Sequence, residues 1–226
     1  MTTYERLIVE RRGVVGWIVN DRPERLNAYD DRMRHEFRSA YLQHEADPEV
    51  AVLVHAANGR AFQVGVDVAD LAGADGTARF VREMAEFDLG LTGWHVGVTK
   101  PVVVAINGMC AGGGLHWVAD GDIVIASSDA VFVDPHVSVG QVSAIEAVGL
   151  ARRAPFEAVM RMCLVGRHER IDARRARQIG LVSEIVDPPD ELHARAQELA
   201  ELVAANDLRV VREAKRRLWD RQEAPA

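Results

Sequence analysis

The chain has 226 residues and a formal net charge of −7, and 48% of its residues are hydrophobic against 27% charged. That length and composition suit one compact domain with a sizeable core. The acidic balance excludes a general nucleic-acid or anionic-membrane binder, which needs a basic face to attract phosphate. Cys110 and Cys163 are the only cysteines, so neither a disulfide framework nor a thiolate metal site is expected. Lys100 and Lys215 are the only lysines, which limits lysine-based mechanisms. The opening Met-Thr-Thr-Tyr-Glu-Arg runs into an alternating segment without a charged leader and apolar run, and no stretch approaches the roughly 18 apolar residues of a membrane span. A soluble cytoplasmic protein is the expectation.

Residues 4–10 and 14–20 read as two antiparallel strands about a turn at Gly13. Met33, Phe37, Ala40 and Tyr41 recur at helical spacing behind Asp30 and Asp31, either of which can cap the first turn, giving a helix over 31–46. Residues 50–56 read as a buried strand, 59–67 as a loop with a short extended centre, and 68–94 as mostly helix interrupted at Gly73–Gly76. The β-branched run Pro101–Ile106 is a central strand, and a helix starts at the glycines that follow. Strands at 122–126 and 131–133, helices near 146–163 and 172–179, a strand at 181–186 and an amphipathic helical tail from Pro188 complete an alternating α/β pattern. The expected division is a core over residues 1–187 and a C-terminal helical segment over 188–226.

Chemistry concentrates in Lys100-Pro101-Val-Val-Val-Ala-Ile-Asn107-Gly108-Met-Cys-Ala-Gly112-Gly113-Gly114-Leu115-His116. A strand feeding three glycines at a helix start lets a ligand approach the backbone and meet unpaired N–H groups, so anionic oxygen is the natural guest. The segment lacks the Gly-Lys-Ser/Thr ending of a phosphate loop and the spacing of a dinucleotide fingerprint. Glycines alone leave open whether this is a ligand site or a tight packing turn.

Several ordered segments resemble the enoyl-CoA hydratase/isomerase (crotonase) superfamily. Arg22-Pro23-Glu24-Arg25-Leu26-Asn27-Ala28 is similar to that family's loop along the CoA nucleotide, and Phe62-Gln63-Val64-Gly65-Val66-Asp67 to its Phe-x-x-Gly-x-Asp segment. Lys100–Gly114 is similar to its glycine-rich segment, Asp122–Ala126 and Ala130–Phe132 to the strands that follow, and Ile171–Val182 to a later helix and strand. The resemblance implies an α/β spiral of ββα turns with a C-terminal helical region, binding an acyl-CoA thioester. It implies an oxyanion hole of two backbone amides, by position Val66 and Gly113, with Arg25, Leu26, Ala28, Val64, Asp67 and Gly112 along the substrate. Such amides stabilise the negative charge that develops on a thioester carbonyl. The resemblance also implies a homotrimer or dimer of trimers, and a tail that ends before the family's last helix. Lys215, Arg216 or Arg217 can stand in for its basic contacts, although solvated helix charge is the simpler reading.

The departures concern the proton chemistry. Where the hydratase pattern carries two glutamates, this sequence has His116 and His136. Two imidazoles titrating near neutrality can act as acid and base, and Asp134 stands two residues before His136, placed to orient a ring. Neither metal nor cofactor is expected beyond the CoA of the substrate, since no HExxH helix or cysteine pair supports the histidines. Ser143 and Glu146 read as a helix cap and an exposed acid; His35, His44, His95, His168 and His193 read as surface or packing residues. Three activities remain: an enoyl-CoA hydratase/isomerase-type enzyme using His116 and His136, a hydrolase of acyl-CoA or carbon–carbon bonds using histidine-activated water, and a silent acyl-CoA-binding subunit.

Overall fold

The computed structural model of the chain describes residues 3–71, 89–143 and 145–223. Strands β1 (Leu7–Arg12) and β2 (Val15–Asn20) pair antiparallel about Gly13, whose φ of +61° suits a residue without Cβ. The first strand starts later than its composition suggests, because the N–H groups of Glu5 and Arg6 donate to the Glu36 carboxylate instead of a neighbouring strand. Helix α1 (Asp31–Ala46) is capped by Asp30, whose carboxylate accepts from the Met33 N–H at 2.8 Å.

From here the chain winds in a repeating turn, a long strand followed within a few residues by a short one. The pairs are β3 (Val52–Ala57) with β4 (Ala61–Gln63), β5 (Val102–Ile106) with β6 (Met109–Ala111), and β7 (Ile123–Ser127) with β8 (Val131–Val133). The long strands build a six-stranded sheet of order β1-β2-β3-β5-β7-β10, and the short ones a four-stranded sheet of order β4-β6-β8-β9. Every pair is parallel except β1 with β2 and β8 with β9.

The intervening helices are α2 (Val68–Leu71), α3 (Leu115–Asp120), α4 (Ile145–Ala151), α5 (Phe156–Val165) and α6 (Ala173–Gln178). Strands β9 (Ile171–Asp172) and β10 (Glu184–Val186) precede α7 (Leu192–Ala204) and α8 (Leu208–Glu223). The single helix expected near 146–163 is two, because Pro155 has no N–H to continue the ladder and pushes Ala154 out of helical conformation. The tail breaks at Ala205–Asp207 before α8. Most of the expected helix over 68–94 lies outside the described residues; its described end, 89–94, is not helical.

The long central strands are buried on both faces, which is why they read as continuous apolar runs rather than alternating ones. Trp17, Val52, Val54, Val103, Ala105 and Ile125 face α7, where Ala196 and Ala200 let the helix lie close. Leu53, Val102, Val104 and Ile106 face the opposite core with Phe37, Tyr41, Phe62 and Trp117. In that core lies His55, fully buried, with Nδ1 2.8 Å from the Tyr41 hydroxyl and Nε2 2.9 Å from Asn20 Oδ1. Burial holds this histidine down to about 3.

Helix α8 is fastened to the core by its basic end. Lys215 Nζ stands 2.8 Å from an Asp122 oxygen and donates to the Lys100 carbonyl, and the Trp219 indole donates to Asp122 at 2.7 Å. Lys215 is therefore an anchored cation rather than a solvated one, whereas the exposed Arg216 and Arg217 pair with Glu213 on their own helix. Among the described residues no helix is long and apolar enough to cross a membrane.

Candidate active site

Two backbone segments meet where β4 and β6 end. Gly65 has φ +93°, and a Cβ placed on it would stand 3.1 Å from the Gly113 nitrogen. A Cβ on Gly113 would in turn lie 3.4 Å from the Gly65 Cα and 3.0 Å from the Tyr29 hydroxyl oxygen, and one on Gly114 would collide with the Gln63 carbonyl. The glycines are thus required by the close approach of two chain segments as well as by helix initiation. Gly113 lies in the 3-10 turn Gly112–Gly114 that opens α3, where first-turn N–H groups have no acceptor within the helix.

The segment from Val64 to Asp67 is held from outside. Tyr29 N–H donates to the Gly65 carbonyl at 2.9 Å and Asp67 N–H to the Tyr29 carbonyl at 2.8 Å, a parallel bridge centred on Val66. Arg22, buried behind the loop, stands 2.9 Å from an Asp67 oxygen and 3.4 Å from an Asp30 oxygen, and donates to the Ala28 carbonyl. Asp67 also accepts from the Ala69 N–H at the start of α2. Its carboxylate and N–H are engaged inside the protein, where they hold this loop in shape. Of the other residues implied along the substrate, Arg25 is exposed, Leu26 takes the left-handed conformation at φ 53°, Ala28 is buried, Val64 is half-buried and Gly112 has φ +53°.

The structure brings His116 and His136 together around a third residue. His116 lies in the first turn of α3 and is 2% exposed; His136 lies in a 3-10 turn after β8, closed by Gly140 at φ +76°. Asp134 is fully buried, and its Oδ1 accepts from both the His136 backbone N–H, at 3.1 Å, and the Nδ1 of the ring, at 2.7 Å. Between the rings stands Glu146, whose Oε1 is 3.3 Å from His116 Nε2 and 3.7 Å from His136 Nε2.

Glu146 corrects the sequence reading: it is a buried acid in the first turn of α4, not an exposed one. Its signal was weak because the break at Pro155 hides a short helix within what reads as a long one. His95 is a second correction, its side chain 5% exposed with Nε2 3.5 Å from Asp120 Oδ2 and its ring 5.0 Å from that of His116. His44 is buried against the Trp17 carbonyl and His193 packs on the Trp17 ring, while His35 and His168 are exposed, as expected of packing and surface residues.

Electrostatics divides this cluster. The Asp134 bond is the largest influence on His136 and holds its pKa above the usual histidine range against burial, with the Glu146 charge helping. Burial pushes Glu146 upward, but the bond and charge of His116 and the charge of His136 outweigh it and hold the carboxyl below its ordinary range. Burial likewise opposes ionisation of Asp134, and is overcome by the His136 ring, the Ser143 hydroxyl and the His136 N–H. The arrangement is an ionised acid between two imidazoles, one of them biased toward its protonated form. Among the described residues, the one group with metal-ligand spacing is His95, His116 and Asp120, whose ligand atoms lie within 4.8 Å of one another.

Comparisons with known proteins agree with this architecture. A family model described as enoyl-CoA hydratase/isomerase matches residues 10–225. A probable enoyl-CoA hydratase of Rhizobium meliloti is 34% identical over 209 residues, covering 91% of this chain and 78% of the relative. A Rhodococcus jostii protein named (7aS)-7a-methyl-1,5-dioxo-2,3,5,6,7,7a-hexahydro-1H-indene-carboxyl-CoA hydrolase is 35% identical over 193 residues, covering 84% of this chain and 71% of the relative. The crystal structure of an enoyl-CoA hydratase/isomerase from Mycobacterium paratuberculosis superposes with a TM-score of 0.84 at 36% identity, over 99% of this chain and 85% of that one. The chain belongs to the enoyl-CoA hydratase/isomerase family.

Proposed function

We propose that the protein transfers protons on an acyl-CoA thioester of the enoyl-CoA hydratase/isomerase type, with Glu146 joining His116 and His136 in a relay that replaces a glutamate pair. The observation that carries this reading is the contact of one buried Glu146 oxygen with both rings, 3.3 and 3.7 Å away. The thioester carbonyl accepts from the Val66 and Gly113 N–H groups, each worth roughly 2.7–4 kcal/mol if it acts like oxyanion donors elsewhere. Water adds its oxygen to the β-carbon of an enoyl-CoA while His116, backed by Glu146, takes its proton. The electron pair of the double bond moves to the thioester oxygen as an enolate. His136, kept protonated by Asp134, returns a proton to the α-carbon. Glu146, in reach of both rings, then passes the captured proton back, so the cycle closes without net change in the protein.

A second reading has its own support. Asp134 and His136, 2.7 Å apart, form a pair able to activate water against a carbonyl, and the Rhodococcus jostii relative is named a hydrolase. Product analysis separates the two. Purified protein is incubated with crotonyl-CoA and with a cyclic diketone acyl-CoA, followed by mass spectrometry, enoyl absorbance and thiol titration. Reversible loss of the enoyl chromophore with water added supports the first reading. Ring opening or free CoA supports the second. Binding of both thioesters without any product overturns both and leaves an acyl-CoA-binding subunit.

We further propose that the chain assembles as a homotrimer or a dimer of trimers. Phe156 and Leu164 on α5, 69% and 67% exposed, and Val148 on α4, 60% exposed, are large apolar side chains that such contacts would cover.

A further inference from the structure

Helix α3 carries His116 at its start and Asp120 four residues later, a spacing that places both on one helical face and favours a direct ion pair between them. His116 therefore has two carboxylates within reach: Glu146 at 3.3 Å, and Asp120, whose nearest ligand atom lies within 4.8 Å. Asp120 is engaged elsewhere. The Thr92 hydroxyl donates to Asp120 Oδ2 at 2.8 Å, and His95 Nε2 stands 3.5 Å from the same oxygen.

The turn at 92–95 fixes how His95 does this. Thr92 N–H donates to His95 Nδ1 at 3.3 Å, and the His95 N–H returns a bond to the Thr92 hydroxyl. Because a backbone N–H only donates, Nδ1 is the acceptor and the ring proton sits on Nε2, facing Asp120. Burial, with the charge of His116, holds His95 down to about 3 against the pull of Glu146, so the ring stays neutral beside His116. The ring stands edge-on to that of His116, at 70°.

We propose that His95 is a positioning residue that, with Thr92, occupies Asp120 and so keeps His116 turned to Glu146 instead of its i+4 neighbour. The role rests on the reading of His116 as a proton carrier. Among the described residues, the charged and titratable groups bearing on the ring are Glu146 from α4, His95 from the 92–95 turn, Asp120 from its own helix, and His136 through Glu146. Burial pushes the Asp120 carboxyl upward against the charge of His116, the Thr92 hydroxyl, and Arg153 and Arg152 from beyond α4.

The test is competition between the two acids. His95→Phe keeps an aromatic ring but cannot engage Asp120, so His116 turns to Asp120. Turnover of crotonyl-CoA, or of the diketone acyl-CoA if that is the substrate, falls by up to about 10²-fold, the scale on which a small misplacement of a reacting group costs rate. KM changes little. The His116 ring nitrogens, followed by ¹⁵N-edited NMR with His116→Ala as the assignment control, change their chemical shifts as the partner of Nε2 changes. Adding Asp120→Asn to His95→Phe removes the competing acid and restores most of the turnover and the original shifts. His95→Gln, which retains a donor, loses less than His95→Phe. A His95→Phe protein with wild-type turnover and unchanged His116 shifts overturns the proposal. So does a slow His95→Phe protein that Asp120→Asn does not restore, since the ring would then matter for packing alone. If His116→Ala is fully active the proton-carrier reading fails instead, and the NMR shifts still report whether His95 sets the partner of His116.

Discussion

Glu146→Gln is the most direct test of the relay, because it keeps the side-chain volume and removes one charge. The wild-type carboxylate sits 3.3 Å and 3.7 Å from the two imidazole nitrogens. A unit charge pair about 4 Å apart at an effective dielectric near 20 interacts by about 4 kcal/mol, and the cost of burying the acid consumes much of that. What survives of the attraction favours the protonated form of His136. Because Glu146 helps hold His136 above the usual histidine range, its neutralisation lowers that pKa and the limb set by the protonated acid moves to lower pH. The glutamine also cannot carry a proton between the rings, so turnover falls by about 10²–10⁴-fold, the range of general acid–base catalysis. Steady-state rates from about pH 5 to about pH 9, with affinity for a non-reacting acyl-CoA as control, measure both effects. Wild-type turnover with an unshifted profile in Glu146→Gln would refute the relay.

His116→Ala and His136→Ala each lower single-turnover rates by about 10²–10⁴-fold while acyl-CoA affinity changes much less; if both keep wild-type rates, neither ring carries protons. Gly113→Pro removes a proposed oxyanion donor and abolishes turnover in a protein whose circular dichroism remains native, whereas near wild-type activity would show that the carbonyl oxygen binds elsewhere. Stability rises with pH from about 3 to the unfolded histidine value of 6.5, because the unfolded chain protonates His55 and the folded one does not. Urea midpoints then correspond to a slope of up to about 1.4 kcal/mol per pH unit from this residue, and His55→Phe flattens the curve; an unchanged slope counts against the argument. Multi-angle light scattering at micromolar concentration gives the mass of a trimer or hexamer, and a strict monomer removes the oligomer proposal.

The parts of the fold that depend on local chemistry were legible in the sequence. The Asp30 cap, the apolar stripe of α1, the strand before the glycines and the turn at Gly13 each follow from a residue type acting on its near neighbours. Long-range competition was not legible. β1 starts at Leu7 because Glu36, some 30 residues on, takes the preceding N–H groups, and buried Glu146 stands between His116 from the preceding turn of the spiral and His136 from the loop before its own helix. His116 and Asp134 with His136 were found by position within a resemblance. Glu146 and His95 had no such positional signal, since a lone acid or imidazole carries chemistry only through its partners. The i+4 relation of His116 and Asp120 was visible in the sequence, but its meaning depended on the turn at 92–95.

The meeting of Gly65 with Gly113 divides the site into parts with different tolerance to mutation. The two segments are registered by strand ends and by the Tyr29 bridge, and what the proposed oxyanion site takes from them is peptide group rather than side chain. A codon change at Val66 replaces a side chain and leaves the peptide in place, so this half can be altered only by changes that bend or block the chain. Asp134, Glu146, His116 and His136 are side chains carried on separate short elements, each open to single-residue exchange. If the proposed roles hold, a lineage built this way can rewrite which groups move protons, one substitution at a time, while the backbone place proposed to receive charge persists.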